Sequence, residues 1–151
     1  MKLKEKCAVF GIYGPQLEAA RLTYFGLYAL QHRGQESSGI SSTDGEKIRT
    51  HKSMGLVAQV YSEEILDNLT GNMAIGHNRY ATSGGSFQEH TQPYTDQDNL
   101  VTLAHNGNLP NVEKLEKFLQ SKKIKTKHLN DSGLMHAAIS YHLKKGDTLE
   151  D

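Results

Sequence analysis

Apolar residues recur with two different spacings along this chain, and each spacing predicts a type of element. The stretch CAVFGIYG, at 7–14, is apolar and rich in β-favouring residues up to Gly14-Pro15, which predicts a buried strand. Residues 16–33 instead repeat apolar positions roughly every 3.6 residues, which predicts a helix. The same period predicts an amphipathic helix at 111–123 and a last helix at 130–145.

Shorter elements are predicted between the first helix and the last two. The dipeptide Asp44-Gly45 separates two strand-like runs and favours a hairpin with a type I′ turn. Residues 62–69 predict a short helix with Ser62 as its cap. Residues 72–82 predict a strand that runs into a polar end.

The second half of the chain contains predicted elements and one long stretch without a hydrophobic pattern. Residues 100–109 predict another strand with a polar end, and residues 83–99 follow neither period. A loop of that length in a compact domain is usually a functional lid or disordered. At the start of the last helix, either Asn130 or Asp131 is suited to cap it.

The order of these elements indicates the fold class. Strands dominate the first part of the chain, a hairpin lies among them, and helices follow. This order favours an α+β fold in which antiparallel sheets are layered with helices, over a doubly wound parallel sheet. The sequence also contains no glycine-rich phosphate loop of the nucleotide-binding kind.

Charge and cysteine content narrow the classes of partner. The 151 residues include 17 Lys plus Arg and 17 Asp plus Glu, so the net charge of zero argues against nucleic acid or a membrane surface as the main partner. One cysteine excludes an intrachain disulfide framework and suits a reducing, cytoplasmic compartment. The first six residues, MKLKEK, lack the apolar stretch of a secretory signal.

The single cysteine, Cys7, has two interpretations. It is either a small buried apolar residue at the start of a strand or a nucleophile. If the six residues before it are removed, its own α-amine becomes free, and an amine that titrates near pH ~8 can accept the thiol proton. Composition alone leaves both interpretations open.

Several polar segments admit an ordinary interpretation beside a chemical one. Arg79, at the end of a predicted strand, is either a surface residue or a fork for a carboxylate. Asn106-Gly107 is either a hairpin turn or an oxyanion hole, because it offers a side-chain amide and an unobstructed backbone N–H. Asp131 either caps a helix or binds an ammonium group. The two His-Asn dipeptides lack the spacing of a metal motif.

Four segments together resemble a known family. CAVFGIYG, LQHRGQESSGI, AIGHNRYATSGG and LAHNGNL occur in the order and spacing of the class II, N-terminal-nucleophile glutamine amidotransferase domain. Within that class, RGQE and RYAT resemble the amidophosphoribosyltransferase family. A glucosamine-6-phosphate synthase would have Arg-Gly-Tyr-Asp and Arg-Trp-Ala-Thr there, and an asparagine synthetase Arg-Gly-Pro-Asp at the first.

The resemblance implies a fold and a domain organisation. The fold would be a four-layer αββα sandwich of antiparallel sheets, incomplete at its C-terminal end. Residues 1–6 would be a propeptide, and residues 7–151 the N-terminal part of the amidotransferase domain. A phosphoribosyltransferase domain, not included in this chain, would follow.

The resemblance also implies the catalytic residues. Cys7 would be the nucleophile, with its α-amine as the base. Asn106 and Gly107 would form the oxyanion hole.

Five further residues would bind or enclose the substrate. Arg79 would hold the α-carboxylate of glutamine with Thr82 close by, and Asp131 would hold its α-ammonium. Arg33 and Gly34 would line the wall near the nucleophile. The loop that opens at Arg79 would be a lid.

The function implied by the resemblance is that of a glutaminase that supplies ammonia to phosphoribosyl pyrophosphate in the first step of purine synthesis. Mg²⁺, and in some members an iron–sulfur cluster, would belong to the part beyond this chain, and the full-length enzyme would be a homo-oligomer. The alternative is a non-catalytic remnant that acts at most as a glutamine-binding or subunit-interaction module.

Overall fold

The computed structural model describes residues 7–80, 88–96, 98 and 100–148. Its elements are β1 (Ala8–Tyr13), α1 (Ala19–Ala29), β2 (Ser37–Thr43), β3 (Ile48–Met54), α2 (Val57–Val60), α3 (Glu63–Asn68), β4 (Met73–Arg79), β5 (Tyr94–Thr95), β6 (Thr102–Leu103), α4 (Glu113–Ser121) and α5 (Asp131–Lys145), with 3₁₀ turns at Gln31–Arg33 and Gln88–His90. A four-stranded sheet has the order β1-β4-β2-β3, and β5 pairs with β6. Because every strand pair is antiparallel, the predicted α+β class is confirmed. The four-layer order stays a prediction.

The register of the main sheet brings three strand ends together. β4 lies between β1 and β2, with Ala8 opposite Asn78 and Ser37 opposite Arg79. The starts of β1 and β2 therefore lie at the end of β4. Cys7, one residue before β1, is thereby placed near Arg79 although the two are far apart in the sequence.

The apolar core lies between this sheet and α1. It consists of Ala19, Ala20, Leu27, Ile40, Val57, Val60, Tyr61, Leu66, Leu69 and Ala74. The helix lies directly on β4, since a Cβ added at Gly76 would come within 2.6 Å of Thr23 Cγ2 and 2.7 Å of Leu27 Cδ1. Gly76 permits this close approach, which fixes β4 and the residues at its end.

We expect Leu27→Ala to lower the free energy of unfolding by about 2–5 kcal/mol, because the side chain is fully buried and its removal leaves a cavity. Urea unfolding followed by circular dichroism measures this change. Leu22→Ala in the same helix is the matched control, since Leu22 is 39% exposed and should lose less than about 1 kcal/mol. Equal losses in the two variants would contradict this placement of the core.

The β2–β3 hairpin is confirmed, but its predicted type I′ turn is wrong. Four residues, 44–47, connect the strands, and Gly45 has a positive φ of 95° while Asp44 does not. Asp44 Oδ1 instead accepts from the backbone N–H groups of Glu46 and Lys47, each at 3.0 Å. These bonds, with that from Arg49, hold the pKa of Asp44 far below its usual range. The carboxylate therefore organises a longer turn than the dipeptide rule implies.

Two strand predictions need correction. β1 is an edge strand rather than a buried one, and Val9 and Tyr13 on one face are exposed. The predicted strand at 100–109 shrinks to Thr102–Leu103. Beyond it, the backbone N–H groups of His105 and Leu109 donate to the side chains of Gln92 and Asp131 instead of to a neighbouring strand.

The helix predictions are confirmed with shifted ends. Ser62 accepts a hydrogen bond from Ile65 N at 3.3 Å and caps α3. At α5 the cap is Asn130, whose Oδ1 accepts from Gly133 N at 2.9 Å. Asp131 is therefore not needed as the cap. None of the helices in the described part of the chain has the length and apolarity that crossing a membrane requires.

Candidate active site

One cavity of about 370 Å³ opens where β1 and β4 meet the start of α5, and five of the predicted site residues line it. These residues are Cys7, Arg79, Asn106, Gly107 and Asp131. A cavity of about 390 Å³ beside α1 and α3 contains none of them. The fold thus gathers residues from four separate segments around one space.

Cys7 lies at the edge of the cavity and is half-buried. Its Sγ accepts a hydrogen bond from Tyr80 N at 3.4 Å, and its carbonyl oxygen accepts one from Asn106 Nδ2 at 2.6 Å. The sulfur is therefore held beside the end of β4, and the backbone of Cys7 is tied to the predicted oxyanion residues.

The segment that contains Asn106 and Gly107 is not a hairpin turn. β6 ends at Leu103 and α4 is the next helix or strand, so the hairpin interpretation is wrong. The amide nitrogen of Asn106 carries two N–H bonds, and only one is needed for Cys7 O. A Cβ at Gly107 would lie 2.6 Å from His105 Nε2, so the loop packs closely against that ring and a larger residue would displace it.

Arg79 is buried at the end of β4 and has a fixed orientation. Its Nε lies 3.3 Å from Glu36 Oε2, and its Nη1 donates to His90 O at 3.0 Å. The side chain of Glu36 is 6% exposed, so the two charges form a buried pair. Each Nη nitrogen carries two N–H bonds, so Nη1 and Nη2 can still form a fork with a carboxylate.

Asp131 lies across the cavity from the sheet, in the first turn of α5. Its Oδ2 accepts from Leu109 N at 2.9 Å, and its Oδ1 accepts from Ser132 N at 2.8 Å. Two backbone donors thus orient the carboxylate. Oδ1 also accepts from the Ser132 hydroxyl at 3.4 Å, and Oδ2 has a further lone pair with which to accept from a cationic donor.

The proteins to which this chain is similar share one name, amidophosphoribosyltransferase. The chain is 47% identical over 145 residues to the amidophosphoribosyltransferase of Synechococcus elongatus, covering 95% of this chain and 29% of that protein. It is 49% identical over 123 residues to that of Bacillus subtilis, covering 80% of this chain and 26% of that protein. Over the segment that it spans, the chain is similar to the amidophosphoribosyltransferases. No protein-family model matches it.

Solved structures of this family have the same fold. A structure described as the allosteric regulatory enzyme of purine biosynthesis matches with a TM-score of 0.76 and 43% identity, over 87% of this chain and 29% of that one. Glutamine phosphoribosylpyrophosphate amidotransferase from B. subtilis, complexed with ADP and GMP, matches with a TM-score of 0.74 and 43% identity over the same shares. The chain has the N-terminal-nucleophile hydrolase fold and spans about three-tenths of the length of these amidophosphoribosyltransferases.

Two predicted site residues are not gathered at the cavity. Arg33 and Gly34 follow α1 and do not line it. Gly34 packs behind it, since a Cβ there would lie 2.6 Å from Asn78 O. Thr82 lies outside the described residues, as does most of the first half of the predicted lid. The described part of that loop, from Gln88 onward, contributes His90 and Gln92 to the cavity wall.

The described residues do not offer a site for the Mg²⁺ or the iron–sulfur cluster that the resemblance assigns to the part beyond this chain. No group of three or more His, Cys, Asp or Glu side chains among them is arranged to hold an ion. Cys7 is also the only cysteine in the sequence.

His77 is a buried member of the cavity wall, and the sequence indicated no role for it because its His-Asn dipeptide lacks the spacing of a metal motif. It is 1% exposed and lies in β4 near Arg79. Burial, which dominates, and the charges of Arg79 and His105 lower its pKa to about 4, while contact with the backbone of His105 opposes the shift. The imidazole is therefore neutral at neutral pH.

This shift makes stability depend on pH. Between pH 6.5 and about 4 the unfolded chain binds a proton at His77 that the folded chain does not, so unfolding becomes easier as the pH falls. We expect a loss on the order of 3 kcal/mol across this window. Urea unfolding at several pH values should show a shallower dependence in His77→Gln. Burial also lowers the pKa of His136, so part of the dependence should remain in that variant. Equal slopes in the two proteins would contradict the prediction.

Proposed function

We propose that this chain is the glutaminase part of an amidophosphoribosyltransferase, which hydrolyses glutamine through a thioester on Cys7. The observation that supports the proposal most is the single cavity, because it places a thiol, an amide donor pair, a buried cation and an oriented carboxylate around one space. The relatives named amidophosphoribosyltransferase support the same reaction.

The two charged groups suit the α end of a free amino acid. Glutamine carries a carboxylate and an ammonium on one carbon, so its binding site needs one cation and one anion close together. The free N–H bonds of Arg79 would form the fork with the carboxylate, and Asp131 would accept from the ammonium. The side-chain amide would then extend toward Cys7.

The first half of the reaction forms a thioester. Cys7 Sγ attacks the amide carbon, and the thiol proton passes to the α-amine of Cys7, which exists once residues 1–6 are removed. Asn106 Nδ2 and Gly107 N donate to the oxyanion. The C–N bond then breaks, and the α-ammonium returns the proton to the departing nitrogen, which leaves as ammonia.

The second half regenerates the thiol. Water adds to the thioester carbon while the α-amine accepts its proton, and the same two donors hold the second oxyanion. Breaking the C–S bond releases glutamate and gives the proton back to sulfur. Ammonia would then be used on phosphoribosyl pyrophosphate, by a part of the protein beyond this segment, to make 5-phosphoribosylamine.

The intact mass of the full-length gene product tests this proposal, before and after incubation with 6-diazo-5-oxo-norleucine, an electrophilic glutamine analogue. The protein should lack MKLKEK and gain one adduct on Cys7. Cys7→Ala is the control and should gain none. An uncut, unlabelled protein would overturn the proposal and support a non-catalytic module.

A further inference from the structure

We propose that Gln92 is a positioning residue that sets the spacing between the oxyanion donors and the ammonium-binding carboxylate. Nothing in the sequence pattern around Gln92 indicates a functional role, and Gln92 takes no part in the chemical steps described above. The inference rests on the proposed glutaminase function and concerns how its site is held together.

The side chain of Gln92 connects two walls of the cavity. It is 5% exposed, and its Oε1 accepts from His105 N at 2.7 Å, next to Asn106. Its Nε2 donates to Ser132 Oγ at 3.4 Å, next to Asp131. One amide thus bonds to the immediate neighbours of the oxyanion donor Asn106 and of the ammonium-binding Asp131.

Ser132 completes this connection. Its Oγ also bonds to His105 Nδ1 at 3.0 Å, and its backbone N–H donates to Asp131 Oδ1 at 2.8 Å. The ring of His105 in turn packs against Gly107. Gln92, His105 and Ser132 therefore form a closed set of contacts that joins the oxyanion segment to the first turn of α5.

The backbone of Gln92 is itself fixed to the main sheet. Lys52 Nζ, from β3, donates to Thr91 O at 2.8 Å and to Pro93 O at 3.1 Å. On β2, the missing side chain of Gly39 lets the carbonyl of Gln92 lie against the strand. The sheet that holds Cys7 and Arg79 in place thereby also holds Gln92, the residue that sets the distance between the oxyanion donors and Asp131.

The consequence for the proposed reaction is geometric. The oxyanion segment belongs to no strand after Leu103, so its distance from Asp131 depends on side-chain bonds. Glutamine bound through its α end places its side-chain amide at the oxyanion donors only if the distance between these donors and Asp131 suits the length of the substrate. A misplacement of about 1 Å can reduce turnover roughly 100-fold.

The test uses Gln92→Met in the full-length protein, because methionine keeps the length of the side chain and removes both bonds. Turnover is expressed per Cys7 titrated with 6-diazo-5-oxo-norleucine, so a loss of folded protein does not count as a loss of rate. We expect kcat to fall about 10- to 100-fold. Gln120→Met is the control, since it removes a glutamine bonded to the Thr126 hydroxyl away from the cavity, and should leave kcat unchanged.

Ser132→Ala is the second variant. It cuts the link to α5 but keeps the bond between Gln92 and His105, so its loss of kcat should be smaller. A wild-type kcat per titrated Cys7 in folded Gln92→Met would overturn the inference. If that variant does not fold, Ser132→Ala decides by the same criterion. A wild-type protein that neither reacts with the analogue nor hydrolyses glutamine would instead overturn the proposed function itself.

Discussion

Cys7→Ala is expected to abolish glutamine hydrolysis, because the proposed mechanism has no other nucleophile. The sequence contains no second cysteine, and the hydroxyl and imidazole groups near the cavity lack a free α-amine beside them. We expect kcat to fall to the background of the assay. Ammonia release from glutamine, measured with a coupled enzyme, gives this number.

A structural explanation for such a loss can be separated from a catalytic one. Within the described residues, the Cys7 side chain accepts one hydrogen bond, from Tyr80 N, while its carbonyl bond to Asn106 does not depend on the side chain. The melting temperature of Cys7→Ala should therefore stay close to that of the wild type. Full activity in a folded variant would contradict the assignment of the nucleophile.

Asn106→Asp should lower kcat by about 100- to 1,000-fold, because it replaces an oxyanion donor with an acceptor of the same shape. The developing negative charge would then face a carboxylate instead of an amide N–H. The KM for glutamine should change less than kcat, since the α end of the substrate is held elsewhere. Steady-state kinetics over a range of glutamine concentrations separates the two parameters.

The control for this variant is Asn111→Asp, which adds the same charge at the start of α4. Asn111 Oδ1 accepts from Glu113 N at 3.0 Å, and aspartate serves this role equally well. Its kcat should match that of the wild type. A similar fall in both variants would mean that added charge, rather than loss of the donor, explains the result.

The local parts of the fold could be predicted from the sequence. The helix α5 follows from its period, and the sequence limited its cap to Asn130 or Asp131, of which Asn130 forms the bond to Gly133 N. The hairpin at Asp44-Gly45 follows from the two strand-like runs around it. Its turn was predicted wrongly because the carboxylate of Asp44 forms bonds that compete with the expected two-residue turn.

The site was predicted partly by resemblance, and the remainder depends on distant partners. The spacing of apolar residues in the sequence does not reveal that His105 N will bond to Gln92, or that Leu109 N will bond to Asp131. These bonds replace the strand expected at 100–109. Gln92 and Ser132 were missed for the same reason, since an amide and a hydroxyl in irregular segments have no signature until the fold places them.

The register of β1 against β4 has a consequence for motion. Six consecutive residue pairs join these strands, from Ala8 with Asn78 to Tyr13 with Met73, so the backbone next to Cys7 can shift appreciably only when the sheet itself opens. The segment from His105 to Leu109 has no such ladder and can rearrange at far smaller cost. Local opening at this site would therefore displace the oxyanion donors before it displaces the backbone that carries the nucleophile.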